Sequence, residues 1–447
     1  MHKYMRLYQE LESAIQGEAG FPGGRLPSVR VLAGQYRCSK STVLAALAEL
    51  ERQHLIYAVP RSGYYVVQTA ERQEESGSRR IDFASSAPDP DVFPYRDFQH
   101  CINMAIDRYK KDLFIYGTSR GLPSLITLMR KRLTDAQVFT PERSIVMTSG
   151  VQQALAVLAM MPFPGGRETV LIEQPGYHLF IEHLQTHGIP VRGITRTAEG
   201  VDMDELERLF RSGTIKFFYT MPRLHNPLGT SYTKEQKKRV VELALKHNVY
   251  LVEDDYMADL DEDRKADPLF AYGHGAQIVY LRSFSKIIFP GLRVGAAVLP
   301  DSLVETFCRY KRTLDIDTSM LSQGALEIYF KSGMFERHRQ KISNSYAERA
   351  RELAACLKRE EGRCMGAMTV PRMKYPSVHI HVMLGKDIPV SRVLSRLRQQ
   401  SVLVEGMDMH YLQGFPQAAM IKLNVTNTNL SDIDTGIRLL GDVLLKR

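Results

Sequence analysis

Polar residues follow several apolar, strand-like runs of this chain, and their types could together support imine chemistry beside an anion site. Lys286 lies in an S-F-S-K sequence after one such run, and the amine of a lysine can form an imine with a carbonyl compound. Asp254 follows another run. Gly150 opens an apolar helix pattern, where backbone N–H groups and the helix dipole favour a phosphate. Each motif alone is weak, because a lysine in such a loop is more often an ordinary solvated side chain.

In combination and in this order, these residues match the needs of pyridoxal 5′-phosphate (PLP). Lys286 would form a Schiff base with it, Asp254 would keep its pyridine nitrogen protonated, and Tyr177 would stack on its ring. Asn226 and Tyr256 would donate to its phenolic oxygen. Its phosphate needs hydroxyls, backbone amides and a guanidinium fork. The candidates are Gly150, Val151, Gln152, Ser283, Ser285 and Arg293.

The runs that precede these residues predict the buried strands of a mostly parallel sheet, since strand-like and helix-like stretches alternate. They are residues 144–147, 169–172, 216–220, 249–252 and 278–281. Ligands of open α/β sheets collect beyond the carboxyl ends of the strands. An α/β fold would therefore bring the candidate residues to one edge of the sheet.

Residues 1–68 predict a separate module, a winged helix-turn-helix. Apolar residues recur every four positions at 7, 11 and 15, Ser28 and Ser39 are candidate N-caps of two further helices, and two β-like runs flank a turn in which Gly63 has a positive φ. The third helix would enter the major groove of DNA by its N-terminal end. The candidate DNA contacts are Arg30, Ser39, Lys40, Ser41, Thr42, Arg61 and Gly63. The alternative is a small interaction domain that uses the same fold for a protein partner. A polar stretch, residues 69–80, is the predicted linker.

Composition narrows the class of protein. The chain has 447 residues, 44% hydrophobic and 24% charged, which is typical of a globular protein of two or three domains. No apolar run is long enough for a membrane span, and Glu10, Glu12 and Glu18 exclude a signal peptide, so we expect a cytoplasmic protein.

The five scattered cysteines are expected to be free thiols. His379 and His381 have no evident third ligand, so we expect no metal site. The net charge of +9 permits binding to nucleic acid.

Two stretches resemble known families. Residues 4–67 resemble the GntR-type DNA-binding domain through P-S-x-R at 27–30, S-x-x-T-V at 39–43 and the wing glycine Gly63. Residues 81–447 resemble the fold-type I aminotransferases, and the resemblance rests on YGTSRGLPSL (116–125), SGVQQAL (149–155), HNPLG (225–229), EDDY (253–256) and SFSKIIFPGLRVG (283–295). With both parts in one chain, the protein is identified as a member of the MocR family of transcription regulators.

This resemblance implies a PLP-bound effector domain over residues 81–447, with a smaller C-terminal α/β subdomain from about residue 311. It also implies a homodimer, often paired head to tail, in which Tyr116 reaches the phosphate in the partner's site. Members of the family respond to PLP itself or to amino-acid-like ligands that form an imine with it.

Three residues depart from the family patterns. Lys422 stands where aminotransferases have an arginine that binds the substrate α-carboxylate. A lysine cannot make the planar two-point contact, which weakens the case for efficient transamination. Arg223 is an alternative anchor for an effector carboxylate. Ser86 replaces a glycine near the ligand pocket, and Arg37 replaces a glycine between the second and third helices, where we expect either a looser turn or an added phosphate contact.

The leading hypothesis is a PLP-dependent, DNA-binding regulator of amino-acid or vitamin B6 related genes that senses its effector at Lys286 and is not an enzyme in the ordinary sense. One alternative is an active aminotransferase with an accessory DNA-binding module. Another is a DNA-binding protein whose body holds no PLP. PLP, an amino acid such as D-alanine or 4-aminobutyrate, and a transported amine all remain open as effectors.

Overall fold

The apolar spacing of the N-terminal residues produces three helices and a hairpin in a computed structural model of the chain. The structure describes residues 3–16, 21, 25–53, 55–59, 62–66, 80–261, 267–273 and 275–446. Its contacts divide the chain into two units, Met1–Ser78 and Arg79–Arg447. The predicted linker lies outside the described residues apart from Arg80.

The N-terminal unit consists of α1 (Lys3–Gln16), α2 (Val29–Gln35), α3 (Lys40–Arg52), β1 (Ile56–Val59) and β2 (Gly63–Val66). Both predicted helix caps are confirmed, since the hydroxyl of Ser28 accepts from the backbone N–H of Val31 at 3.4 Å and that of Ser39 from Thr42 at 3.2 Å. Gly63 has the predicted positive φ, at 114°. The buried core of the unit is Leu7, Leu11, Leu26, Leu32, Val43, Ala46, Leu47, Leu50 and Ile56.

The body alternates strands and helices up to residue 298 and then becomes mainly helical. Its first part contains β3 (Ile81–Asp82), α4 (Tyr95–Tyr109), α5 (Pro123–Asp135), β4 (Ile145–Thr148), α6 (Val151–Met160), β5 (Thr169–Gln174), α7 (His178–Thr186), β6 (Val191–Thr197), β7 (Gly200–Val201), α8 (Met203–Arg211), β8 (Ile215–Thr220), α9 (Lys234–Lys246), β9 (Tyr250–Asp254), α10 (Leu269–Gly273), β10 (Ile278–Ser283) and β11 (Gly295–Val298). Its second part contains α11 (Asp301–Leu314), α12 (Met320–Lys331), α13 (Met334–Arg363), β12 (Met368–Thr369), β13 (His379–Leu384), α14 (Val390–Gln399), β14 (Val402–Leu403), β15 (Glu405–Gly406), β16 (Met420–Asn424) and α15 (Leu430–Leu445).

Eight strands form the central sheet, in the order β4-β11-β10-β9-β8-β5-β6-β7. The strands from β10 to β6 run parallel, whereas β11 and the edge strand β7 are antiparallel to their neighbours. The five predicted strands correspond to β4, β5, β8, β9 and β10, so the mostly parallel sheet is confirmed. Successive residues alternate between the two faces, as Phe217 and Phe218 do, and each face is covered by its own apolar core.

A second, smaller sheet has the antiparallel order β12-β13-β16-β15. Beside it, β3 from the start of the body pairs in parallel with β14. The first strand of the body thus belongs to the same layer as its C-terminal strands. The helix α12 packs chiefly against α4. Among the described residues, none of the helices combines the length and the apolar composition that crossing a bilayer requires.

Candidate cofactor site and DNA-binding module

Lys286 lies in the turn that follows β10, at the carboxyl edge of the central sheet. Its Nζ donates to the backbone oxygen of Ser86 at 2.5 Å. Lys286 and Ser86 line a small cavity together with Asn226, Tyr256 and His379. Burial and the nearby charge of Lys422 lower the pKa of Lys286 to about 8. The sheet edge therefore presents an amine that is easily deprotonated, as a nucleophilic lysine must be.

Asp254, the last residue of β9, is buried and only half satisfied. Its Oδ2 accepts a hydrogen bond from the hydroxyl of Tyr219 at 2.9 Å, while its Oδ1 has no partner among the described residues. Burial raises the pKa of Asp254 to about 7. Asn226, after β8, likewise has a buried side-chain oxygen that accepts no hydrogen bond from the described part of the chain. Buried polar atoms are nearly always bonded, so two such atoms at one sheet edge indicate a missing ligand.

The start of α6 forms the opposite end of the site. Gly150 caps this helix with φ 89°, and the guanidinium of Arg293 donates to the backbone oxygen of Ser149 at 2.8 Å. A Cβ on Gly150 would stand 3.1 Å from Nη2 of Arg293. Ser283 pairs with Gly295, and Gly295 pairs with Thr148 on its other side. The sheet register thus brings the predicted phosphate residues of three segments together.

The remaining residues predicted to bind the phosphate lie after β10 and in the first turn of α6. Ser285 donates its backbone N–H to the hydroxyl of Ser283 at 3.2 Å. Val151 and Gln152 form the first turn of α6, where Val151 is buried and the side chain of Gln152 is exposed. The contribution of these two residues would therefore come from their backbone N–H groups.

Two tyrosines were expected to contact the ring. Tyr177 stands just before α7, and burial together with the nearby carboxylate of Asp254 raises its pKa to about 12. Tyr256 donates its hydroxyl to the backbone oxygen of Leu224 at 2.7 Å and lies 3.2 Å from Nε2 of His379. The Tyr256 proton is thus already used within the chain, and a contact to a bound ring would require its redirection.

Tyr116 is not part of this chain's own cluster. It is 80% exposed and follows Phe114 and Ile115, which are 91% and 67% exposed. Three consecutive exposed apolar or aromatic side chains are typical of an interaction surface. The role of Tyr116 in a partner's site stays a prediction.

The two predicted anchors for an effector carboxylate have different surroundings. Lys422, on β16, is buried and forms an ion pair with Glu405 at 2.8 Å. Arg223 is also buried, but its Nε and Nη2 donate to the two carboxylate oxygens of Asp255. Two of the three guanidinium nitrogens of Arg223 are thus engaged by a buried carboxylate, and Nη1 lies 3.9 Å from the carboxylate of Asp261. The role of Arg223 as an effector anchor stays a prediction.

Sequence reasoning missed three residues of the site. Tyr219 was read only as part of a buried strand, and Glu405 and His410 lie in a stretch without any motif. Nothing in the local sequence marks them, since each acquires its role from a partner that is distant in the chain.

In the N-terminal unit, hydroxyls cluster at the start of α3. The Oγ of Ser39 lies 2.8 Å from both Ser41 Oγ and Thr42 Oγ1, and Lys40 beside them is exposed. This exposed helix start is the feature that a winged helix-turn-helix directs at DNA.

Several arginines of the N-terminal unit lie on α2, just before α3 or near the wing. Arg30 is exposed, as predicted. Arg37 adopts the left-handed conformation that a glycine favours, with φ 46°, and its side chain is exposed, as a phosphate contact would need. Arg25, which the sequence did not single out, donates to the backbone oxygen of Ser62 and thus supports the wing at Gly63. Arg61 lies outside the described residues.

Family models match both units. Residues 3–66 match the model of bacterial regulatory proteins of the gntR family, and residues 80–418 match aminotransferase class I and II. The second match covers most of the chain, and the two together are the domain combination of one group of regulators. The chain belongs to the MocR family.

One curated relative and two solved structures are similar to this chain over most of its length. YcxD of Bacillus subtilis (strain 168), described as an uncharacterized HTH-type transcriptional regulator, is 54% identical over 98% of this chain and 99% of its own length. The α-aminoadipate aminotransferase LysN of Thermus thermophilus, solved with N-(5′-phosphopyridoxyl)-L-leucine, is 24% identical with a TM-score of 0.73, covering 82% of this chain and 92% of that one. The kynurenine aminotransferase of Pyrococcus horikoshii is 23% identical with a TM-score of 0.74, covering 83% and 92%. At this identity the two structures show the fold.

The residues of this MocR-family chain fit pyridoxal 5′-phosphate, which is its cofactor. A protonated ring nitrogen would satisfy the unpartnered Oδ1 of Asp254. A phosphate would meet the N–H groups at the start of α6 and the guanidinium of Arg293. Lys286, whose pKa is lowered by burial, is the amine that such an aldehyde requires.

Proposed function

We propose that this chain is a PLP-dependent transcriptional regulator that binds DNA through α3 and its wing and senses an effector at Lys286, in the control of amino-acid or vitamin B6 related genes. The observation that carries the proposal is that one chain combines the half-satisfied Asp254 and Lys286, which follow neighbouring parallel strands to one sheet edge, with an exposed cluster of hydroxyls at the start of α3. The 54% identity to a regulator over nearly the whole chain supports it.

The side chains of the site have distinct tasks in this proposal. When bound, PLP supplies an aldehyde group that reacts with primary amines. Lys286 provides the amine, and because its pKa is lowered to about 8, a larger fraction of it is neutral near pH 7 than of an ordinary lysine. Asp254 holds a proton at the ring nitrogen, and Tyr219 fixes the orientation of the Asp254 carboxylate. Tyr177 excludes water from one face of the ring.

A homodimer is the assembly we propose. The exposed row Phe114, Ile115 and Tyr116 would be covered by the partner, which would receive Tyr116 at its phosphate site. A head-to-tail pairing would place two DNA-binding modules for a paired operator, and effector binding would change their relative placement.

An active aminotransferase is the second candidate, because Lys286 and Asp254 provide what transamination needs. Lys422 argues against this candidate, because it is buried in an ion pair with Glu405 and cannot bind a carboxylate through two parallel hydrogen bonds as an arginine does. At most, partial turnover with an amino acid is therefore expected.

The decisive experiment measures binding of the purified protein to fluorescent DNA from upstream of its own gene and of the neighbouring genes, with and without PLP. Salt is fixed and competitor DNA is present, since phosphate contacts alone give salt-sensitive, unspecific binding. Specific binding that Lys286→Ala makes insensitive to PLP supports the regulator. Absence of specific binding to every fragment, together with steady conversion of an amino acid and a keto acid, would favour the enzyme.

A further inference from the structure

A buried chain of charges lies beside Lys286 in the C-terminal layer. The Nζ of Lys422 lies 2.8 Å from Oε2 of Glu405, and Oε1 of Glu405 lies 3.1 Å from Nε2 of His410. The side chains of Lys422 and His410 are 3% and 0% exposed, and that of Glu405 is 27% exposed. Both oxygens of the Glu405 carboxylate are therefore occupied by partners from this chain.

His410 ties this network to the loop that carries Tyr177. Its Nδ1 lies 2.7 Å from the backbone oxygen of Gly176, and the N–H of Gly176 donates back to the oxygen of His410 at 2.8 Å. Both ring nitrogens of His410 thus lie within hydrogen-bond distance of oxygen atoms, one on Gly176 and one on Glu405. Glu405 is consequently held between Lys422 and His410.

The sheet register directs Lys422 toward the cavity at Lys286. Lys422 and Asn424 are two residues apart on β16, so their side chains lie on the same face of the sheet. Asn424 donates to the hydroxyl of Ser86 at 3.2 Å, and the backbone oxygen of Ser86 accepts from Lys286. The charges of Lys422 and Glu405 both act on Lys286, in opposite directions.

From this geometry we infer that Glu405 is a built-in carboxylate that takes the place of a ligand's carboxylate on Lys422. The effector class that fits is a primary amine with no carboxylate on the carbon that bears the amino group. An α-amino acid would have to separate Glu405 from Lys422 or place a second anion beside it, and either change costs binding free energy. This inference rests on the proposed function, because it takes Lys286 as the place where the amine is received.

The test compares ligands that differ only in the carboxylate. L-alanine and ethylamine are titrated into the full-length, PLP-loaded protein, and the visible absorption of the bound cofactor gives both dissociation constants. For the unaltered protein we expect ethylamine to bind more tightly. Glu405→Gln should tighten binding of L-alanine by about tenfold or more and change that of ethylamine by less than about twofold, since only the amino acid competes for Lys422.

Two further variants keep the inference falsifiable. Glu182→Gln removes an exposed charge from α7 and serves as the matched control, for which neither constant should move. Lys422→Arg leaves Glu405 in place but adds donors, so it should also favour L-alanine even where Glu405→Gln fails to fold. Equal changes for both ligands in Glu405→Gln and in Lys422→Arg would overturn the role of Glu405.

The outcomes also separate this inference from the proposed function. If neither amine alters the cofactor spectrum while Lys286→Ala leaves that spectrum unchanged, the proposed function fails, and the inference fails with it. If both amines alter the spectrum but their ratio is the same in all variants, only the inference is wrong.

Discussion

Tyr219 donates its hydroxyl to one carboxylate oxygen of Asp254 and leaves the other oxygen without a partner in the described part of the chain. Tyr219 thereby orients the Asp254 carboxylate, and the other oxygen can accept a hydrogen bond from the protonated ring nitrogen of PLP. Because no opposite charge compensates its burial, the pKa of Asp254 is raised to about 7.

Replacing Asp254 should therefore raise the stability of the cofactor-free protein at pH 8 and lower its affinity for PLP. An acid whose folded-state pKa lies above its unfolded value of 3.8 makes the protein less stable as pH rises from about 4 to about 7. Without cofactor, Asp254→Asn should melt at a higher temperature than the parent at pH 8 and show little difference at pH 4. PLP affinity, measured by absorption, should fall by about tenfold or more, because a charged hydrogen bond is lost. Equal melting temperatures at pH 8 would contradict the cause assigned to the raised pKa.

The neighbouring Asp255 should behave in the opposite way. It is buried against Arg223 and also accepts the hydroxyl of Tyr280 at 2.7 Å. The positive charge of Arg223 keeps the pKa of Asp255 below its usual value despite burial. Asp255→Asn should cost about 3–5 kcal/mol of unfolding free energy, because it removes the carboxylate that binds two nitrogens of a buried guanidinium, whose other acidic neighbour, Asp261, lies 3.9 Å away. Urea unfolding of the two variants side by side measures the contrast, and a cost equal to that of Asp254→Asn would refute it.

Cofactor uptake should depend on the protonation of Lys286. Its amine must be neutral to react, and its pKa is lowered to about 8 by burial and by Lys422. The rate of PLP binding, followed by stopped-flow absorption, should rise with pH, pass its midpoint near pH 8 and level off at higher pH. Lys422→Gln removes a positive neighbour, so the pKa of Lys286 should rise and the profile should move to higher pH. Lys286→Ala serves as the control without uptake, and an unshifted profile in Lys422→Gln would count against electrostatic coupling of the two lysines.

Gly150 offers a test of the phosphate end of the site. With φ 89° and a Cβ position 3.1 Å from Arg293, Gly150→Ala would strain the backbone and displace the guanidinium. The backbone strain alone costs about 1–3 kcal/mol. Gly165 has φ 94° and nothing within 4 Å of its Cβ position, so Gly165→Ala is the matched control. Both variants should lose stability in thermal unfolding, but only Gly150→Ala should bind PLP more weakly. Parallel losses of affinity would disprove the phosphate role.

Ser39, the N-cap of α3, and Arg30, on α2, give separate predictions for the stability of the N-terminal unit and for its binding to DNA. Ser39→Ala removes the cap of α3 and should cost about 1 kcal/mol of stability. Arg30→Ala should lower the slope of log affinity against log salt by about 1, the signature of one lost phosphate contact. Arg6, whose Nε lies 3.2 Å from Glu10 on α1, provides the control for a general charge effect. Urea unfolding measures the stability of Ser39→Ala, and fluorescence anisotropy over a series of salt concentrations measures the slopes of Arg30→Ala and Arg6→Ala. An unchanged slope for Arg30→Ala would remove it from the interface.

The sequence by itself determined the features that depend on neighbours in the chain. The caps Ser28 and Ser39 and the left-handed Gly63 follow from local hydrogen bonding and from steric freedom at a turn. The gathering of Lys286 and Asp254 was also predictable, because the carboxyl ends of parallel strands necessarily meet at one edge of the sheet.

Only the tertiary structure decided which charges neutralise one another. Asp254 and Asp255 are adjacent and look alike in sequence, yet they point to opposite faces of the chain, one toward Tyr219 and the other toward Arg223. From the sequence, Lys422 is a candidate anchor for a ligand carboxylate. In the structure, Glu405 of β15 forms an ion pair with it. The free energy of a buried charge depends on the groups packed around it in space, and those groups come from segments that local sequence patterns do not connect.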